Sequence, residues 1–550
     1  MDREKISGTT SQVAPNSRLA AEDKPQSASF KDKRKKKKKS YKEKQSSEPT
    51  QERVWSNEIN RQNTAFERYY RAQNLFEDEE EFAEFLSALK TDLPTTFRVT
   101  GSRTTANDVN NIIRNVHVPN LTGIEHEGSI VSPPTPLPWY PGGFAWQVNV
   151  HKSVIRKVPE FQNMQRFLVY ETEVGNISRQ EAVSMLPPLV LDVEPHHRII
   201  DMCAAPGSKT AQILEAMHTT PLGTSIPNPT GIIIANDSDY KRAGLLVHQS
   251  SRLPSPALVV TNVDASNYPG IRIGGQGQLL EFDRILCDVP CSGDGTLRKN
   301  PIIWRDWSVA GANGLHNLQL RILQRAMKML APSGRIVYST CSMNPVENEA
   351  VIASALKASN GAYELVDLSD RLPELLRRPG VSNWQVCTDK EKLTMDSTFE
   401  EFSSRLTEKQ RAETKIVETM FPCPDIEQFH LERCWRIYPH LQNTGGFFVA
   451  VFERSRTYAP PEPRKKATKR SAVERSDTPD KESERTRKRK RVDTGNEMIL
   501  DTEMETTKDA EDPEISTLVN EEDIQVKTSS YKEDPYTYVD PNHPTVDQFL

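Results

Sequence analysis

The chain has 550 residues, a formal net charge of −5 and 36% hydrophobic residues. Length alone gives a prior of three or four domains, but the low apolar share points to a globular middle averaged with polar ends. No run approaches the roughly 20 apolar residues that cross a bilayer, and no apolar segment follows Met1, so neither a membrane span nor a secretory signal is expected.

Residues 1–54 are rich in Ser, Lys, Glu and Gln and are expected to form a disordered basic tail. The lysine-rich run at 34–39 reads as a nuclear import signal or an unspecific phosphate contact. Folding is expected from about Trp55. Phe82, Phe85, Leu86 and Leu89 repeat at i, i+3, i+4 and i+7 and predict a helix. Residues 96–100 predict a strand followed by a Gly-Ser turn. Residues 55–190 therefore read as a small α+β module, ending in a connector that includes the proline-rich piece 133–141.

From Arg198 the pattern alternates. Strands are predicted at 198–202, 231–235, 257–263, 284–287, 335–339, 363–368 and 446–452, with Gly334 preceding the fifth. Helices are predicted at 210–217, 240–248, 315–330 and 346–357. Such alternation implies a doubly wound, mostly parallel, seven-stranded α/β sheet over residues 191–454, with an insertion at about 369–440. Residues 455–550 turn polar again. They carry a basic run at 485–491 and an acidic run at 493–523, and read as a disordered charged tail.

In a doubly wound sheet the ligand lies at the carboxyl ends of the strands. Cys203, Ala204, Ala205, Pro206, Gly207, Ser208 and Lys209 follow the first strand, Asp237 the second and Asp264 the third. Asp288 and Cys291 follow the fourth, and Cys341 the fifth. The first loop fails as a phosphate-binding loop, because Ser208 and Cys203 stand where glycines are required. What remains is a turn of small residues feeding a helix amino end, suited to close backbone approach. An acid after the second strand suits ribose hydroxyls. An adenosyl ligand without a pyrophosphate meets both conditions, and S-adenosylmethionine is one. One such Asp is more often a plain helix cap; three on successive strands weaken that reading.

The seven cysteines are odd in number and irregular in spacing, so a reducing, intracellular setting is expected, and without CxxC or HExxH no metal site is. Cys287, Cys387, Cys423 and Cys434 read as small core residues. Cys291 and Cys341 differ, because neighbouring strands lie about 4.8 Å apart and would bring both into one pocket. A thiolate that adds to carbon 6 of cytosine makes carbon 5 enamine-like, so that it takes a methyl group. Asp288 is placed to share a proton with ring N3.

Three segments carry a resemblance. Asp201-Met-Cys-Ala-Ala-Pro-Gly-Ser-Lys-Thr210, Asp288-Val-Pro-Cys-Ser-Gly-Asp-Gly-Thr296 and Tyr338-Ser-Thr-Cys-Ser-Met-Asn-Pro345 resemble the signature motifs of the Sun-family RNA cytosine-5 methyltransferases. Asn176-Ile-Ser-Arg-Gln-Glu-Ala-Val-Ser-Met185 and His440-Leu-Gln-Asn-Thr-Gly-Gly446 are most similar to the nuclear branch acting on transfer RNA. The resemblance implies a class I S-adenosylmethionine-dependent methyltransferase, with Cys341 as nucleophile and Cys291 assisting product release. It implies catalytic parts for Asp288 and Lys209, and a donor site of residues 203–209 with Asp237, Asp264 and Asp288. It further implies an RNA-binding role for residues 55–190, transfer RNA as partner, a monomer, and a nuclear or nucleolar location. The alternatives are the same chemistry on ribosomal or messenger RNA, and a non-catalytic RNA-binding factor. Tyr531-Lys-Glu-Asp-Pro-Tyr-Thr-Tyr538 resembles the beginning of a further C-terminal RNA-binding domain, expected to be cut short at Leu550.

Overall fold

Asn63 and Asp78 each precede an amphipathic run, and each caps a helix: Asn63 Oδ1 accepts the Phe66 N–H at 3.0 Å, and Asp78 Oδ1 the Glu81 N–H at 2.8 Å. The helices are α1 (Thr64–Ala72) and α2 (Glu79–Lys90). This is a computed structural model, which describes residues 60–219, 228–273, 277–389 and 392–456. The basic runs at 34–39 and 485–491, the acidic run and the 531–538 segment lie outside the described residues. After α2 comes a small antiparallel sheet of β1 (Thr95–Val99), β2 (Thr135–Pro136), β3 (Ala145–Val148) and β4 (Ile177–Arg179), in the order β2-β3-β1-β4. It packs on α3 (Pro159–Glu173) through Phe97, Val99, Trp146, Phe161, Met164 and Leu168.

Consecutive apolar residues such as Ile199-Ile200, Ile233-Ile234 and Leu286-Cys287 are at most 5% exposed, as expected for strands covered on both faces. They belong to β5 (Arg198–Asp201), β6 (Ile232–Asn236), β7 (Leu258–Thr261), β8 (Phe282–Asp288) and β9 (Leu330–Thr340). Helices α4 (Ser208–Met217), α5 (Tyr240–Ser250) and α6 (Val309–Met329) fall between these strands, and α7 (Glu349–Ser359) follows β9. The sheet closes with β10 (Tyr363–Leu365), β11 (Arg378–Pro379), β12 (Trp435–Ile437) and β13 (Phe447–Arg454). Its order is β11-β12-β13-β9-β8-β5-β6-β7, with β10 beside β13. The run from β7 to β9 is parallel, and β13 inserts antiparallel to β9.

The doubly wound, mostly parallel α/β fold is the expected one, and all seven expected strands are present. Two short strands are added, because residues 378–379 and 435–437 of the expected insertion extend the β13 edge. The proline-rich connector contributes edge strand β2, where Pro136 is tolerated for lack of a central ladder position. Gly334 lies inside β9 rather than before it. Packing also divides the chain elsewhere than at residue 190. Phe66, Tyr70, Phe82, Phe85 and Leu89 of α1 and α2 bury against Trp304, Trp307, Met343 and Tyr438 rather than on the small sheet. Ala182, Val183, Leu186 and Val190 join the core of the large sheet. Among the described residues no helix is long and apolar enough to cross a membrane.

Candidate active site

Strand order reverses between β5 and β8, so their carboxyl ends flank a crevice. A cleft of about 730 Å³ opens there. One wall is Asp201, Asp288, Cys341, Phe447 and the turn after β5; the other is residues 92–96 and 179–181 next to the small sheet. Of the residues singled out in the sequence, Cys203, Ala204, Ala205, Pro206, Ser208, Lys209, Asp288 and Cys341 line the cleft. Gly207, Asp237 and Cys291 stand behind or beside that lining, and Asp264 is not among the lining residues.

The turn owes its shape to what lies behind it. Gly207 has φ +111°, and a Cβ there would come within 3.0 Å of Leu246 Cδ1, so glycine serves both the backbone and the fit. Ala204 and Ala205 pack on Ala235 and Leu246. Asp237, 3% exposed, braces the same turn: its Oδ2 accepts the Ala205 N–H at 3.2 Å and lies 3.3 Å from Arg242. Its Oδ1 accepts the Asp239 N–H at 3.0 Å. Asp264 is exposed and caps the short turn Ala265–Asn267 by accepting the Ser266 N–H at 2.9 Å. Both acids therefore have backbone partners in the free protein.

Lys209 leaves the first turn of α4 and donates to Asp288 Oδ2 at 2.7 Å, while Ser339 Oγ donates to Oδ1 at 2.7 Å. Burial works against the Lys209 charge, but Asp288 outweighs it and raises the ammonium above its ordinary range. The carboxylate is thus oriented from both sides before any substrate arrives. The Cys291 and Cys341 sulfurs are 3.2 Å apart, and both residues are partly exposed. The hydrogen bond to Cys341, helped by burial, pushes the Cys291 thiol well up, and either sulfur can be the donor between them. Gly295 N–H holds the Cys341 carbonyl at 2.9 Å, and Gly446 N–H holds the Gly295 carbonyl at 2.8 Å. A Cβ on Gly295 would fall 2.2 Å from Gly446 O, so these glycines let the two loops interlock.

Several polar residues at this site escaped the sequence reading. Asp201 is buried on the cleft; Thr210 Oγ1 donates to its Oδ2 at 2.8 Å, while Oδ1 has no hydrogen-bond partner. Burial pushes this carboxyl up to about 7. Glu347 and Asp294 are also fully buried acids, and the charge of Asp294 acts on Glu347. Arg436 and Glu349 make a buried ion pair, and Arg436 Nη1 also donates to Met343 O at 2.8 Å, which anchors the loop after Cys341. Asp201 and Asp294 lay within motifs already recognised, and Glu347 two residues beyond one. Arg436 sat in the expected insertion and gave no signal. Glu194, His196 and His197 bring potential metal-ligating atoms within 4.8 Å of one another, but at the amino end of β5, away from the cleft.

Residues 188–377 match the family described as 16S rRNA methyltransferase RsmB/F. The chain is similar to the multisite-specific tRNA:(cytosine-C(5))-methyltransferase trm4b of Schizosaccharomyces pombe, 50% identical over 420 residues, covering 72% of this chain and 60% of that one. It is also similar to the multisite-specific tRNA:(cytosine-C(5))-methyltransferase of Saccharomyces cerevisiae, 48% identical over 406 residues, covering 73% and 56%. The chain thus spans a little over half the length of these curated relatives. A methyltransferase homolog of Pyrococcus horikoshii, known by crystal structure, is 25% identical with a TM-score of 0.45, covering 71% of this chain and 94% of that one.

Proposed function

We propose, from the premise that residues 188–377 form a methyltransferase domain of the RsmB/F, or Sun, family, that this chain makes 5-methylcytosine in transfer RNA with S-adenosylmethionine as donor. The observation that carries this reading is the pair of sulfurs 3.2 Å apart beside the Lys209–Asp288 ion pair.

The residues fit such a donor. The small-residue turn at the α4 amino end admits a close backbone approach, and the unpartnered, buried Asp201 Oδ1 offers an acceptor to an ammonium group. Asp237 would take the ribose hydroxyls. When bound, S-adenosylmethionine supplies an electrophilic methyl group. Cys341 gives its thiol proton to Asp288 as its sulfur adds to cytosine carbon 6, and Asp288, held by Lys209 and Ser339, passes that proton to N3 as electron density moves onto the ring. Carbon 5, now enamine-like, takes the methyl group and leaves S-adenosylhomocysteine; its proton then passes to water, the carbon 6–sulfur bond breaks with Cys291 assisting release, and N3 returns its proton through Asp288 to the Cys341 thiolate.

Transfer RNA is preferred to ribosomal RNA because the tRNA-acting relatives match over more than 400 residues, whereas the rRNA-described family model matches residues 188–377 alone. The exposed Arg179 and Lys299 beside the cleft suit a phosphate backbone. The lysine-rich run at 34–39 supports a nuclear location. The test is to incubate the protein with transfer RNA and ribosomal RNA transcripts and the donor, followed by bisulfite sequencing. Protected cytosines in transfer RNA are expected. Methylation confined to ribosomal RNA, or a nucleoside digest without 5-methylcytosine, would overturn the reading.

A further inference from the structure

The ladder between β8 and β9 ends at the pair Asp288–Ser339. Cys291 and Cys341 lie beyond it, so the sheet alone does not impose their contact. One carboxylate does. Glu347 Oε1 accepts the Ser292 N–H at 2.7 Å, and Oε2 accepts the hydroxyls of Ser292 at 2.5 Å and Ser342 at 2.6 Å. Ser292 follows one cysteine and Ser342 follows the other. Gln319 Nε2 donates to Oε1 at 3.1 Å and to Pro290 O at 2.9 Å, which ties the residue before Cys291 into the same grip.

We propose that Glu347 is a positioning residue that clamps the two cysteine loops together and holds Cys291 in the assisting role, leaving attack to Cys341. This rests on the two-cysteine reading above. Only an ionised carboxylate is acceptor on every face, and here it meets four donors with no cation among them. Its placement is costly, since Glu347 is fully buried. The titratable groups facing it are Asp294, Cys291, Tyr69, Tyr70 and Tyr338. Burial, and after it Asp294, pushes the Glu347 carboxyl up to about 7. Its negative charge in turn helps keep Cys291 a thiol. A neutral hydrogen-bonding residue would tie the loops without that second effect.

The test uses the full chain. The rate of Cys291 alkylation by iodoacetamide is followed against pH by mass spectrometry in Cys341→Ser, with and without Glu347→Gln. Removing the charge should lower the midpoint by about one pH unit. In the Cys341-containing protein, Glu347→Gln should slow resolution of the protein–RNA adduct by about 100-fold, with the KM for RNA and donor unchanged. Glu347→Asp, which keeps the charge, should hold the alkylation midpoint near that of its Glu347 parent; this variant carries the test if Glu347→Gln does not fold. An unmoved midpoint in Glu347→Gln, a midpoint in Glu347→Asp as low as that of a neutral substitution, or adduct resolution at the parent rate would each overturn the proposal. Failure of both the parent and Cys291→Ala to form any adduct would instead overturn the underlying two-cysteine reading, which the alkylation measurement does not need.

Discussion

At the scale of single residues, the two cysteines make opposite predictions. Cys341→Ala should abolish both methylation and covalent RNA capture, whereas Cys291→Ala should still attack and then stall. RNA that migrates with the Cys291→Ala protein on a denaturing gel, and not with Cys341→Ala, is the expected result; the reverse pattern would exchange their roles. Asp237 braces the turn after β5 through the Ala205 N–H and is proposed to receive ribose hydroxyls. Loss of a charge-assisted hydrogen bond of about 1.5–3 kcal/mol should weaken donor binding about 10- to 100-fold in Asp237→Ala, read by calorimetry. Asp201 gives a pH prediction. Its carboxyl is raised to about 7 in the fold, against about 3.9 in an unfolded chain. The folded state holds the proton more tightly, so this stabilisation is complete below about pH 4 and is lost as pH rises through 7. Asp201→Asn should therefore raise Tm relative to the parent at pH 8, and the difference should vanish toward pH 4. Thermal unfolding scans at both values check this.

At the scale of elements, the loop after Cys341 depends on a segment far away in sequence. Arg436 of β12 pairs with Glu349 at the start of α7 and holds the Met343 carbonyl, all out of water. Breaking a buried pair by removing one partner leaves an uncompensated charge, at a cost of about 3–5 kcal/mol. Arg436→Met should lose that much stability in denaturant titration, and Arg436→Met with Glu349→Leu should recover most of it. Equal losses in the single and double variants would count against the pairing. Elements were legible wherever their pattern was local. The α2 stripe Phe82, Phe85, Leu86 and Leu89 showed the helix, but not that the stripe faces Tyr438 and the residues around Trp304. The short strands β11 and β12 were missed because two or three residues carry too little periodicity to register.

At the scale of the whole molecule, residues 92–96 and 179–181 form one wall of the cleft, and Asp201, the turn after β5, Asp288, Cys341 and Phe447 the other. On the proposed activity, a target base would have to leave its stack to reach Cys341 in this cleft, at a cost of a few kcal/mol, so loosely paired cytosines should react fastest. The proposed nuclear location is tested by deleting residues 1–50. Methyl transfer in vitro should remain nearly intact while nuclear accumulation of a fluorescent fusion falls; unchanged imaging would remove the 34–39 run as an address.

The sequence by itself determined the alternation of strands and helices, hence the doubly wound sheet, and the reactive residues that follow each strand, because both are written in local period and in residue type. It also marked Cys291 and Cys341 as a pair, since adjacent parallel strands deliver their end loops to one place. Only the tertiary structure decided how those loops are held. Glu347 grips Ser292 and Ser342, Arg436 reaches back from β12, and Gly446 interlocks with Gly295. A buried polar network is built from residues of several segments, and its charged members, Glu347 and Arg436, each read alone as an ordinary surface charge. Burial among particular partners, which no single segment specifies, is what turns them into supports of the site.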